Sequence, residues 1–494
     1  MATTSKPSLS KSRMGIQQPS SEQAYIAFFI LLVINILNYT DRSVLSAVQT
    51  LIQTEFGLTD TELGLLSSSF LFVYGIATLP LGIWADRGVR KNIVAIAVTI
   101  WSCATAFGGL TRNFIQLFLS RSILGIGEAG YAPASLSMIG DYFPKETRGR
   151  MLSIWSIGNL IGTAVGLAVG GIVGEYLGWR WVFYIVGLPG LLVAFFIWRA
   201  VEPKRGAFDG INTAADETRA QHGSLGKDLF RVAKQLSHIP TYWVLVTAFI
   251  CSFFIVGAAL AWIPTYVERD FLLPKGMATG LASGVLAGGS LIGTLSGGWL
   301  ADYLQQRMPQ GRMLVAAIAF LAGAPLTWLA LSIHSLPYFI AAFSMAIICL
   351  SLCLGPIQAV IQDITTPDIR STAVGLALLA GHILGDASSP LLLGTLSDRF
   401  SPPEIVRAVA HHQHLSPDQI QALGHALGQA FVITGPTCLF LAGIACLVGL
   451  KTVAKDMEKM QAHLHHKDDI AVKSEQPPTH DGPTPPTPPP PPNE

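Results

Sequence analysis

Twelve long apolar runs dominate this chain. They lie near residues 24–48, 61–84, 92–111, 115–139, 151–174, 180–199, 241–266, 277–301, 313–333, 337–361, 371–394 and 427–450. A helix needs about 20 apolar residues to cross the hydrocarbon of a bilayer. Inside that hydrocarbon no water satisfies backbone amides and carbonyls, so each run must be helical. The expected fold is an all-α membrane protein with twelve transmembrane helices. Composition agrees, because charged residues are 13% of the 494, about half the share of ~25% usual in soluble proteins. So little charge cannot cover a soluble surface of that size, which argues against a cytosolic enzyme. A net charge of +1 argues equally against a binder of nucleic acid.

The basic residues orient the chain. With the N-terminus in the cytoplasm, 24 of the 32 Lys and Arg fall in the two tails and the loops on that side. On the other side are Arg112, Arg180, Arg269, Lys275, Arg399 and Arg407, while Arg42 and Arg121 lie within spans. The positive-inside rule then places both termini in the cytoplasm. The one long polar interior stretch, 200–240, divides the spans six and six. The expected organisation is an N-terminal tail 1–23, a six-helix bundle 24–199, a central cytoplasmic loop 200–240, a second bundle 241–450 and a cytoplasmic tail 451–494. That tail is Pro-rich from Ser474 and reads as disordered. Within the central loop, Lys227–Lys234 reads equally as a short surface helix or as a linker.

Chemistry is sparse outside the spans. All six cysteines fall in apolar runs without CxxC spacing and read as buried reduced thiols. His411, His412 and His414 follow span 11 with no patterned carboxylate, so they read as solvated histidines. No metal and no cofactor is expected. No nucleophile–base pair stands on any loop, and no phosphate-binding loop is present, so neither an enzyme nor an ATP-driven pump is expected. A secondary transporter, driven by an ion gradient or by its substrate's own gradient, remains. The alternative is a membrane sensor on the same scaffold, which would bind its ligand without flux.

Two loop signals recur in the two halves. Gly82-Ile-Trp-Ala-Asp86 follows span 2, and Gly298-Trp-Leu-Ala-Asp302 follows span 8. Asp141 and Arg148 follow span 4, as Asp363 and Arg370 follow span 10. Paired signals in the same order indicate two homologous six-helix bundles. On these residues the chain resembles the major facilitator superfamily. The loop Gly82, Asp86, Arg87, Gly88, Arg90, Lys91 is similar to that family's G-x-x-x-D-R-x-G-R-K pattern, except that Gly88 comes one place early and Val89 takes the expected glycine position. The resemblance implies two pseudo-symmetric bundles about a central cavity. It also implies a gating role for Gly82, Asp86, Arg87, Arg90, Arg148 and Asp302. Span 5 carries Gly158, Gly162, Gly166, Gly170 and Gly171, a ladder read mainly as close helix packing.

Two segments narrow the resemblance. Asn38-Tyr-Thr-Asp41-Arg42 stands in span 1. Arg121…Gly125-Ile-Gly127-Glu128-Ala129…Pro133…Asp141-Tyr-Phe-Pro144 runs through span 4. Both resemble the bacterial spinster-like branch. That branch implies a monomer in the bacterial inner membrane, moving a lysophospholipid or sphingoid lipid with protons as the coupling ion. The organic anion:cation symporter branch shares Asn-Tyr-x-Asp-Arg and Gly-Glu-Ala, so a proton-coupled symporter of small carboxylates stays open.

Six ionisable residues lie at membrane depth: Asp41, Arg42, Arg121, Glu128, His382 and Asp386. Each costs about 2.5–3.5 kcal/mol to insert, which marks them as functional candidates. At 1.5 Å per residue, Asp41 and Arg121 lie at nearly the same depth, about 10 Å from the outer ends of their helices. Glu128 lies about 20 Å in, near the midplane. The expected salt bridge is Asp41–Arg121, with Glu128 the less compensated carboxylate and main proton carrier, and Asp41 second. Arg42, Arg121 and Asn38 are the expected head-group contacts, with His382 and Asp386 as secondary candidates. Spans 7 and 10 offer Phe253, Phe254, Trp262, Phe339, Phe343 and Met345, which suggests a charged wall facing a greasy one.

Overall fold

The computed structural model of the chain describes residues 19–205, 208, 225–366 and 369–475, and every regular element among them is helical. Spans 1 to 3 are α1 (Ser21–Phe56), α2 (Asp60–Arg87) and α3 (Arg90–Gly108). Span 4 is two helices, α4 (Phe114–Ala129) and α5 (Tyr131–Tyr142). Spans 5 and 6 are α6 (Lys145–Leu177) and α7 (Trp179–Arg199), and the central segment contributes α8 (Leu225–Leu236). Spans 7 to 10 are α9 (Pro240–Asp270), α10 (Lys275–Gln305), α11 (Gly311–Ser332) and α12 (Leu336–Asp363). Span 11 joins α13 (Arg370–Ala380), a π-helical turn (Gly381–Asp386) and α14 (Ser389–Phe400). The short α15 (Pro403–Ala410) precedes α16 (Pro417–Glu475), which is span 12 and its extension.

Eleven helical segments are long and apolar enough to cross a bilayer. Span 4 is the twelfth crossing, broken at Gly130. The break has a sequence cause. Pro133 has no N–H to donate to the Ala129 carbonyl four residues back, so the helix opens there. Local chemistry also fixes helix starts. Ser20 with Gln23, and Thr59 with Glu62, form reciprocal capping boxes on α1 and α2.

In the first half α1 packs on α6, α3 on α7, and α2 and α3 on α4. In the second half α9 and α11 pack on α16, and α10 and α11 on α12. These are two six-span bundles. The span 5 glycines serve the close packing their spacing predicts. A methyl group at Gly162 or Gly166 would collide with the backbone carbonyls of Ile36 or Thr40 on α1.

Each bundle is clasped on the face where its chain ends lie, hereafter the terminal face. Arg90 donates to Asp141 and also to Glu202 at 2.9 Å and Ser137 at 2.8 Å. Arg312 donates to Asp363 at 2.5 Å and Asp302 at 2.8 Å. Arg90 and Arg312 stand 222 residues apart, as do Asp141 and Asp363, so the repeat extends from sequence into an equivalent ion pair. Arg90 is thereby used inside the first bundle. Its side chain is 1% exposed.

The bundles meet along α2 with α14, α6 with α10, and α1 with α9. Polar contacts between them cluster at the opposite, distal face. Arg269 of α9 donates to both carboxylate oxygens of Asp60 on α2, at 2.9 and 2.8 Å, and to Gln53 Oε1 at 2.6 Å. Ser397 of α14 donates to Asp60 at 2.7 Å. Asp398 accepts the backbone N–H groups of Asp60 and Thr61 at 3.0 and 2.7 Å, where the positive end of the α2 dipole favours a carboxylate. Lys275 pairs with Glu268 at 2.7 Å, and Thr50 of α1 donates to Glu268 at 2.9 Å. Among the described residues, these contacts seal the molecule at the distal face.

Two expectations about the polar segments change. The Lys227–Lys234 stretch is helix, and Val232 and Leu236 bury their side chains against the second bundle. The tail expected to be disordered from 451 begins as helix, because α16 continues to Glu475. Its buried Asp456 accepts the Thr241 backbone N–H at 3.3 Å and hydroxyl at 2.7 Å, an anion on the first turn of α9. The Pro-rich run beyond residue 475 lies outside the described residues.

Candidate functional site

The midplane charges arise from two helices that face each other. Asn38, Asp41 and Arg42 occupy positions i, i+3 and i+4 of α1, which places them on neighbouring faces of two turns. Arg121 and Glu128 stand on α4. Asp41 meets Arg121 at 3.5 Å, the expected pair. The Thr105 hydroxyl also donates to Asp41. Glu128 is not isolated, as its depth alone suggested. Arg42 Nε donates to Glu128 Oε2 at 2.7 Å, and the Glu128 side chain is fully buried. The rotation of α1 against α4 decides this, and depth along a helix axis carries no information about rotation. Asn38 is fully buried, with neither amide atom at hydrogen-bonding geometry, and one oxygen of Glu128 also lacks a hydrogen-bond partner.

Aromatic rings surround the Arg42 guanidinium. Its carbon lies 5.2 Å from the Tyr39 and Phe70 ring centres and 4.6 Å from that of Tyr74. Arg121 lies 4.6 Å from the ring of Phe183. Such faces hold a cation by ring quadrupole and keep the site dry. Deeper, Asn35 donates to Asn159 at 2.6 Å and accepts the Tyr131 hydroxyl at 2.5 Å, which ties α1, α5 and α6 together.

A cavity of about 220 Å³ opens between the bundles, with Arg42, Arg121, Tyr39 and Phe70 on one wall. The other wall carries Phe253, Val256 and Leu260 of α9, and His382 and Asp386 of span 11. His382 Nδ1 is 2.8 Å from Asp386 Oδ2, inside the π-helical turn. That turn inserts an extra residue into the helix, a feature frequent at functional sites. Ring contacts fix His382 against Phe253 at 4.7 Å and, across the bundle boundary, against Tyr74 at 6.2 Å.

These features fit a known architecture. Residues 31–390 match the profile of the Major Facilitator Superfamily. The chain belongs to this superfamily. It is 27% identical over 402 residues to the protein spinster of Drosophila melanogaster, covering 78% of this chain and 63% of that protein. The match thus spans less than two thirds of the fly protein's length. Spinster homolog 1 of Xenopus laevis is 29% identical over 398 residues, covering 77% of this chain and 74% of the relative. A probable L-galactonate transporter of Escherichia coli is 30% identical over 282 residues, 56% of this chain and 61% of that one. Among solved structures, a bacterial homologue of the human lysosomal transporter spinster, inward-facing and unoccupied, superposes with a TM-score of 0.78 at 27% identity. That match covers 89% of this chain and 99% of the other. The chain is a multi-pass membrane transporter of this superfamily rather than an enzyme, and it is similar over most of its length to the spinster proteins.

Within this transporter, Asp41, Arg42, Arg121, Glu128 and Asn38 form one buried group. His382 and Asp386 stand across the cavity from it. The expected greasy second wall is therefore only partly so. Phe253 lines the cavity, but Phe254, Trp262, Phe339 and Phe343 are core packing, and Met345 is half exposed on the outer surface of the bundle. Among the described residues, none of the loop from Gly82 lines the cavity. Gly82 faces open space, Asp302 is engaged by Arg312, and the side chains of Asp86 and Arg87 lie outside the described residues. Sequence reading did not find the Tyr39–Phe70–Tyr74 cage or the Asp60–Arg269 seal.

Proposed function

We propose that this transporter moves an amphiphile with an anionic or zwitterionic head, of lysophospholipid or sphingoid type, by proton-coupled alternating access. The observation that carries the reading is the Arg42–Glu128 pair at the cavity wall. While Glu128 is ionised it holds Arg42. Protonation of Glu128 removes the counter-charge and frees the guanidinium for an oxyanion, which its planar fork can bind through two oxygens. Asp41 and Arg121 form the second, more deeply buried pair, and Asn38 supplies an amide beside both. Apolar residues of α9 line the opposite wall, where an acyl chain gains about 0.8 kcal/mol per buried CH₂. The terminal face is read as cytoplasmic from the positive-inside count, which makes the present arrangement inward-facing. The loop from Gly82, with Asp86, Arg87 and Arg148, is the latch that closes this face in the opposite state.

Flux in proteoliposomes tests the reading. A lysolipid should accumulate with a pH gradient and not without one, and Glu128→Gln should abolish the dependence on the gradient. Persistent proton-driven accumulation in that variant would place coupling elsewhere, with Asp386 the next candidate. The second reading, a symporter of small carboxylates, draws support from the polar His382–Asp386 pair on the opposite wall and from the likeness to the probable L-galactonate transporter. Affinity that ignores acyl-chain length, with good binding of a short carboxylate, would favour it.

A further inference from the structure

A second polar cluster lies at the distal face, away from the cavity. Asp270 ends α9, His334 stands between α11 and α12, and His425 lies in the opening turns of α16. The Asp270 carboxylate has no exposed surface, while the two imidazoles are 50% and 40% exposed. His334 Nδ1 is 3.2 Å from Asp270 Oδ2, and His425 Nδ1 is 3.6 Å from Oδ1. The Tyr266 hydroxyl donates to Oδ2 at 3.3 Å. Oδ1 has no hydrogen-bond partner. The neighbouring Arg269 offers no compensation, since its guanidinium is turned to Asp60 and Gln53. A buried carboxylate oxygen left in this state is costly unless a cation meets it.

We propose that Asp270, His334 and His425 form a binding site for a divalent transition cation of the zinc type. Zinc takes imidazole nitrogen and carboxylate oxygen at about 2.0–2.2 Å, and tetrahedral ligands at that length stand about 3.4 Å from one another. The two His–Asp separations, 3.2 Å to Oδ2 and 3.6 Å to Oδ1, are of that order, with the carboxylate turning one oxygen to each imidazole. One ligand atom from each residue fits within a 4.8 Å set. Two imidazoles and one carboxylate suit zinc rather than calcium or magnesium, which take oxygen donors. The exposed edges of the imidazoles leave the fourth position to water. All three ligands belong to the second bundle, so the site survives whichever way the cavity opens. Bound there, the ion ties the end of α9, the α11–α12 connection and the start of α16 to one point, one residue from the Arg269 seal. The histidines singled out by sequence, His411, His412 and His414, are exposed on the neighbouring loop.

The test uses the full chain in detergent, titrated with Co²⁺ by visible absorption and with Zn²⁺ by calorimetry. Expected is an equivalent of Co²⁺ with the bands of tetrahedral coordination, displaced by Zn²⁺. His334→Ala and His425→Ala should each weaken this binding by at least about tenfold. The triple variant His411→Ala/His412→Ala/His414→Ala should retain it. His334 is exposed and His425 partly exposed, and an unchanged gel-filtration profile will show that both variants fold. The proposal is overturned by absence of binding, by unchanged affinity in the two single variants, or by loss of binding in the triple variant alone.

Discussion

Removing Arg269 should tip the molecule toward opening at the distal face. In the present state the Arg269 and Asp60 side chains are 3% and 1% exposed, and they come from different bundles. Arg269→Met keeps the length of the side chain but leaves Asp60 buried with only Gln53 and Ser397 as side-chain hydrogen-bond donors, at 3.0 and 2.7 Å. Breaking a buried pair costs about 3–5 kcal/mol. The two remaining donors argue for the lower end, about 3 kcal/mol. That cost falls on the sealed state alone, because opening the distal face lets water reach Asp60. The equilibrium should therefore move by a factor of roughly 10² toward the distal-open state. Spin labels on the distal ends of the two bundles, at Leu110 and Tyr338, will report it. Both sites are well exposed. The background should carry Cys103→Ser, since Cys103 is an exposed free thiol. Pulsed dipolar spectroscopy should show the longer-distance population growing in Arg269→Met. The double variant Asp60→Asn/Arg269→Met should return toward the parent, as coupled sites do. A distance distribution identical to the parent's, in protein that still elutes as a single species, would refute the view that this pair holds the seal.

Three further outcomes follow from the same geometry. Arg90→Ala should lower thermal stability more than Arg312→Ala, because Arg90 leaves a carboxylate 10% exposed and Arg312 leaves Asp363 at 28%. A melting scan that ranks them the other way would break the link between burial and cost. Gly166→Leu should drive α6 off the Thr40 carbonyl and destabilise the first bundle by about 1–3 kcal/mol, read as a lower melting temperature; an unshifted melt would show that the helices can part freely. Asp86→Asn should reduce flux while leaving membrane expression intact, and undiminished flux would remove the latch.

The spans were legible because a lipid-facing chain has few alternatives. Hydropathy placed all twelve, but it gave span 4 as one run, and the break at Gly130 before Pro133 emerged only in the structure. Asp41–Arg121 was legible too, because depth along two antiparallel helices follows from residue counting. Arg42–Glu128 was not, since it depends on how α1 is rotated against α4, which packing against α6 and α2 decides. Asp60 and Arg269 are separated by 209 residues and by the bundle boundary. Each read alone as an ordinary charge near a helix end. The π-helical turn left only Gly381, Gly385 and a His–Asp pair at i, i+4 as traces. The repeat was legible at Asp141 and Asp363, and the same 222-residue offset relates Arg90 to Arg312 in the loops after spans 2 and 8.

The twin clasps, Arg90–Asp141 and Arg312–Asp363, have a mechanical consequence. Each closes its own bundle upon itself, so neither spans the gap that widens and narrows during transport. On the proposed alternating access, a bundle so fastened turns as a solid piece, and the work of reorientation falls on the seams along α2–α14, α6–α10 and α1–α9. Substitutions at the clasps then act on how long the protein survives, and substitutions at the seams act on which way it faces. A thermal melt and a distance measurement should sort the two kinds of residue independently of any substrate.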